Sequence, residues 1–120
     1  MFNQSKIEQY KYKPDEALEA LGLDEELLHN LLVSYVEQVI DSIAVFLEYL
    51  SVLENTAQKD FVPLRDLAHK NLGVARNLHV KDAEFYLNEI MKSEDLVYLR
   101  ECVKSLSYSS IKLKRMLDVS

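Results

Sequence analysis

The sequence predicts an all-α protein: an up-and-down antiparallel four-helix bundle with a short extra N-terminal helix. Two observations carry that prediction. The 120 residues include only two Gly and two Pro, far below the roughly 7% and 5% of average usage, whereas a β-sandwich or an α/β fold needs many tight turns. Apolar residues also recur at helical spacing along most of the chain, and no stretch alternates with period two between turn signals. The length suits one domain. Residues 1–13 read as an arm and residues 14–120 as the helical bundle.

Each element follows from local chemistry. The arm mixes Phe2, Ile7, Tyr10 and Tyr12 with polar residues and ends at Pro14, which tolerates a first helical turn and disfavours helix before it. From Asp15 to Leu21 runs a short helix with acids at its positive end, stopped by Gly22. Asp24 is the next N-cap, with Glu25 and Glu26 behind it. The stripe Leu27, Leu28, Leu31, Leu32, Tyr35, Val36, Val39, Ile40, Ile43, Phe46, Leu47, Leu50 and Leu53 then predicts one helix of about 30 residues. Asn55 to Asp60 is a polar connection, and Asp60 is placed to cap a third helix that carries Pro63 in its first turn and runs to about Leu78. A fourth helix covers about Asp82 to Met91. Ser93 is read as the cap of a fifth, which uses Leu96, Leu99, Val103, Leu106, Leu113 and Leu117. Short connections join antiparallel neighbours in a bundle.

Charge and cysteine usage narrow the function classes. With 14 Lys+Arg against 20 Asp+Glu the net charge is −6, and without a basic block the chain has little purchase on nucleic acid or anionic lipid. The single Cys102 forms no internal bridge and suits a reducing compartment; it reads as a small buried hydrophobe. The start of the chain has no apolar run that could serve as a signal-peptide core, and nowhere do about 18 apolar residues occur in succession. The expectation is a cytoplasmic monomer that binds neither nucleic acid nor membrane. Its seven Tyr and four Phe are expected to pack in core and rim, and Lys112, Lys114 and Arg115 are taken as solvated charge favouring a helix C-terminus.

The stretch from Pro63 to Leu78 carries the chemistry. Projected at about 100° per residue, Leu64, Leu67, Ala68, Ala75 and Leu78 gather on one side with Asn71 among them and Leu72 on the rim. His69 lies nearly opposite, so it points into water with Arg65 one turn before it, Gly73 one turn after and Arg76 two turns after. A glycine inside a helix costs roughly 1 kcal/mol relative to alanine, so the gap at Gly73 calls for a reason, and close approach of another protein to the imidazole supplies one. The arginines attract phosphate oxygens or an acidic surface. Imidazole, with an ordinary pKa of about 6.5, is a competent nucleophile in its neutral form.

These residues resemble a known family. Ala68-His69, then Gly73, Ala75, Asn77 and Leu78, resemble the A-H-x-L-K-G-x-A-x-N-L-G pattern of histidine-containing phosphotransfer (HPt) domains. The run Gly22-Leu23-Asp24-Glu25-Glu26-Leu27-Leu28, leading into a long helix with Phe46, looks like the start of the same family, and the likeness spans about residues 13 to 118. It implies a four-helix bundle whose exposed histidine is a phosphoprotein site in a two-component phosphorelay. His69 would take a phosphoryl group from the aspartate of a response-regulator receiver domain, or from a hybrid sensor kinase, and return it. It also implies no autonomous enzyme activity and no cofactor of its own, the Mg²⁺ belonging to the receiver. His69 matches the phosphoacceptor and Gly73 the small residue beside it. Leu72 stands where the family has Lys, Asn71 where it has Leu, and His79 where it has Gly. Either Lys70, Arg65 or Arg76 then holds the phosphate, or transfer is weakened; restoring Lys at position 72 is expected to speed it. Leu72 and Val62 are expected to form an apolar docking rim.

Two other readings remain open at this stage. One is a degenerate HPt-like module that docks a receiver without transfer. The other is a di-metal carboxylate bundle, because Glu26-x-x-His29 and Asp66-x-x-His69 share i, i+3 spacing on two helices; it requires those groups to face the interior. Apart from that reading, His29 is taken as solvated surface and His79 as a helix-end cation.

Overall fold

Where the chain carries its helical apolar stripes, helices form. The structure, a computed structural model, describes Ile7 and residues 10–119; Phe2 and most of the arm lie outside the described residues. Among the described residues the regular elements are five helices and no strands: α1 (Pro14–Leu21), α2 (Glu25–Glu54), α3 (Val62–Asn77), α4 (Lys81–Lys92) and α5 (Leu96–Val119). Pro14 opens α1 and Gly22 closes it in the left-handed conformation at φ 66°, where the missing Cβ avoids the steric cost. Asp24 caps α2 by accepting the Leu27 N–H at 2.7 Å.

Helix α2 packs against α3 and α5, α3 against α4, and α4 against α5, while α1 lies on α2. Each of the four longer helices therefore has two neighbours around a shared core. Phe46 and Leu50 of α2, Leu64 and Ala68 of α3, Leu87 and Ile90 of α4, and Leu99 and Leu106 of α5 are buried in it. Each of the larger side chains contributes roughly 1.5–3 kcal/mol by leaving water. By length and composition alone α2 is long and apolar enough to cross a membrane, with mean hydropathy 1.4 in its most apolar stretch; its face from Leu28 to Leu53 is buried against the other helices.

Two local expectations, both about the ends of the last helix, are corrected. The fifth helix starts at Leu96, and its capping group is the Asp95 carboxylate, which accepts from the N–H of Val97 (3.0 Å) and Tyr98 (3.2 Å). Ser93 instead accepts the Asp95 N–H at 3.1 Å, because one carboxylate nearer the helix can satisfy two of its free amides. Helix α4 begins at Lys81, and Asp82 is buried within its first turn, where it accepts from the Ala83 N–H (2.9 Å) and the Ser109 hydroxyl (2.7 Å). Helix α5 runs to Val119 and has no basic residue in its last turn, so the cations sit too early to meet its dipole. Lys114 pairs with Asp118 at 3.8 Å and Lys112 donates to the Tyr10 carbonyl at 2.8 Å.

That last bond ties the arm to α5, and two more tie it to the end of α3. The Tyr12 hydroxyl donates to the Leu78 carbonyl at 2.8 Å and the Tyr10 hydroxyl to the His79 carbonyl at 3.2 Å. Helix C-termini leave carbonyls without intrahelical partners, and here the arm supplies donors beside them.

Candidate functional site

Helix α3 sets the site by the division of its faces. Leu64, Ala68, Asn71, Leu72 and Ala75 are buried, whereas Asp66, His69, Lys70, Gly73 and Arg76 are exposed and Arg65 is half-buried. At its start Pro63 occupies the first turn and Phe61, not Asp60, is the N-cap residue, with no side-chain cap bond of its own; Asp60, one residue earlier than expected of a cap, accepts the Val62 N–H at 3.0 Å. At its end Val80 N–H donates to the Ala75 carbonyl at 2.9 Å and His79 N–H to the Arg76 carbonyl at 3.2 Å. This is a Schellman closure, and it places His79 in the left-handed region at φ 62°. The imidazole thus stands where glycine would be unstrained, at the same position where the family pattern has Gly.

Asn71 is fully buried, and its position is fixed by a polar clasp. Its side-chain amide donates to the Ser42 hydroxyl and to the Leu67 carbonyl, each at 2.9 Å, and its oxygen accepts from Gln38 Nε2 at 3.3 Å. Ser42 in turn donates to the Gln38 carbonyl at 2.9 Å. Polar groups buried among leucines destabilise a fold unless they are paired; the departure at position 71 is thus matched by polar partners on α2.

On the opposite face His69 is open to solvent, and a Cβ added at Gly73 would meet nothing within 4 Å. The flanking cations are engaged. Arg65 pairs with Glu94 at 2.6 Å and lies 5.7 Å from the Phe61 ring centroid. Arg76 pairs with Glu84 at 3.3 Å. Lys70 is exposed and is paired with no carboxylate among the described residues.

The rim expectation for Leu72 is overturned. Its side chain is only 4% exposed, because α4 packs on that flank of α3, so it lies in the core and is not a contact for a partner. A lysine there would lose the packing of a buried leucine; it is no simple restoration of the family pattern. Val62 is 55% exposed, in keeping with a rim position. His29 is half-buried and lines a hollow of about 500 Å³ with Leu28, Leu32 and Leu117, so it is less solvated than expected. Glu26 and Asp66 are exposed, and among the described residues no three His, Cys, Asp or Glu side chains gather as a metal-binding group. Cys102 is buried, and desolvation pushes its thiol up to about 11.

Glu84, Glu94, Gln38 and Ser42 act on this helix, and the local pattern around His69 does not point to them. A serine inside the apolar stripe of α2 was the one visible hint. The arrangement offers an accessible imidazole, an open space beside it and two guanidinium groups on its flank. Comparison with protein-family models, curated proteins and solved structures finds no match to this chain.

Proposed function

We propose that the chain is a phosphorelay carrier of the histidine-containing phosphotransfer kind, built as an up-and-down antiparallel four-helix bundle. His69 accepts a phosphoryl group from the aspartate of a response-regulator receiver domain and donates it back. The observation that carries this reading is the exposed imidazole beside the open Gly73, on a helix whose other face is buried. In the forward step one ring nitrogen, Nε2 by the family likeness, gives its lone pair to phosphorus. The N–P bond forms as the P–O bond to the aspartyl carboxylate breaks, and that carboxylate leaves with the electron pair. The transition state is loose, so the carrier's task is in-line presentation and charge balance, and the Mg²⁺ is supplied by the receiver. Val62 offers apolar contact for a transient complex of modest size.

Incubation with phosphorylated receivers tests this. The wild type gains an acid-labile, base-stable phosphoryl group and the His69→Gln protein does not. A second reading, a module that docks receivers without transfer, draws support from both arginines being already paired with glutamates. Equal receiver binding by wild type and His69→Gln, with neither labelled, would favour it.

A further inference from the structure

Resting on the reading of His69 as a phosphoryl carrier, we infer that Arg76 holds the phosphoryl group on His69, reaching it across the gap at Gly73, and that Glu84 keeps Arg76 in reserve until then. A dianionic group needs a cation nearby, and position 72, where the family pattern has one, holds a buried leucine. Three cations remain, and geometry separates them. Lys70, the next residue after His69, is turned by about 100° around the helix, onto the other flank. Arg65 is one turn before His69, but long helical side chains lean toward the N-terminus, which carries its guanidinium away from the imidazole. It is also held by the 2.6 Å pair with Glu94 and by the Phe61 ring.

Arg76 has the opposite setting. Seven residues on, it lies within about 20° of His69 around the axis and about 10 Å along it. Its natural lean is toward His69, and the surface between them is Gly73, where no side chain stands in the path. Its present partner is easily given up: the Arg76–Glu84 contact is 3.3 Å long with the arginine side chain 60% exposed, and solvent-exposed pairs of this kind add little to stability. A dianion within reach outcompetes a single carboxylate. Phosphorylation therefore moves Arg76 from α4 to His69 and frees Glu84.

Potassium phosphoramidate, which phosphorylates histidine without a partner protein, provides the test, with the phosphohistidine followed by phosphorus NMR and His69→Gln identifying its resonance. A nearby cation lowers the pH at which the phosphoryl group takes up its proton. Arg76→Ala is expected to raise that midpoint by about half a pH unit, from a Coulomb term at about 5 Å in high dielectric. Glu84→Gln is expected to lower it, while Arg65→Ala and Lys70→Ala leave it within error. An unchanged midpoint in Arg76→Ala, or the larger shift in Arg65→Ala or Lys70→Ala, overturns the assignment while leaving the carrier reading intact. If phosphoramidate and phosphorylated receivers both leave His69 unlabelled, the carrier reading falls and this inference with it. Far-UV circular dichroism of each variant shows that the helices persist.

Discussion

Replacing Gly73 by alanine is expected to make the protein more stable, and the size of the gain follows from the structure. Glycine in a helix interior is about 0.8–1.0 kcal/mol less favourable than alanine. At an exposed site nothing offsets the difference, and the added Cβ would meet no atom within 4 Å. The full propensity term, about 1 kcal/mol, should therefore appear as a higher urea midpoint with an unchanged slope and as a rise in melting temperature of about 4 °C for a chain of this length. Glutamine at the same position keeps most of the gain, since its propensity is close to that of alanine, but lays a long side chain beside His69. Transfer from a phosphorylated receiver should then slow by about tenfold, equivalent to about 1.4 kcal/mol of barrier, in a protein more stable than the wild type. A destabilised alanine variant would refute the claim that the space is open. A glutamine variant that transfers at the wild-type rate would refute the claim that a partner uses it.

Other outcomes can be checked in parallel. His79→Gly should stabilise the fold by about 1 kcal/mol in urea titrations, because it relieves a left-handed residue at φ 62°; a loss of stability would mean that the imidazole packing matters more than the backbone. Asn71→Ala should cost about 2 kcal/mol by stranding the Gln38 amide and opening a cavity, and Asn71→Leu should cost less because it refills the space; equal losses would show that the clasp, not the volume, dominates. Burial raises the Cys102 thiol to about 11 and the Tyr12 hydroxyl to about 12, and raises Tyr35 and Tyr98 as well. These groups favour the neutral form more strongly when folded than when unfolded. Their contribution is therefore complete below about pH 9 and is lost as pH climbs through 11 and 12. Urea midpoints that stay level from pH 7 to 11 would contradict that sign. In keeping with it, Cys102 should react with a thiol reagent at pH 8 far more slowly in the folded protein than in urea.

Much of this architecture was legible because its signals are local. Gly22 and Asp24 announce a stop and a start in adjacent turns, and the apolar stripe of α2 marks a helix over its whole length, although Leu27, Leu31 and Leu47 within it stand exposed and outside the buried face. The exposure of His69 followed from the same periodicity. What periodicity misjudged was the flank: Leu72 projects to an edge of α3, and only the packing of α4 decides that this edge is interior. Ion-pair partners could not be read at all, since Glu84 and Glu94 are brought to α3 by tertiary packing and share no spacing with it. The capping of α5 by Asp95 instead of Ser93 turned on a shift of two residues, the scale on which competing polar side chains near a helix start exchange roles.

The hydrogen-bonded trio of Gln38, Ser42 and Asn71 makes α3 a keyed shaft. A leucine seam tolerates small rotations, but an amide seated in a slot does not: a slip of one residue, about 100°, would strand it among hydrocarbon and swing position 69 out of view. The direction in which the protein offers its imidazole is thereby set from the far side of the helix, by two buried side chains and a half-buried glutamine.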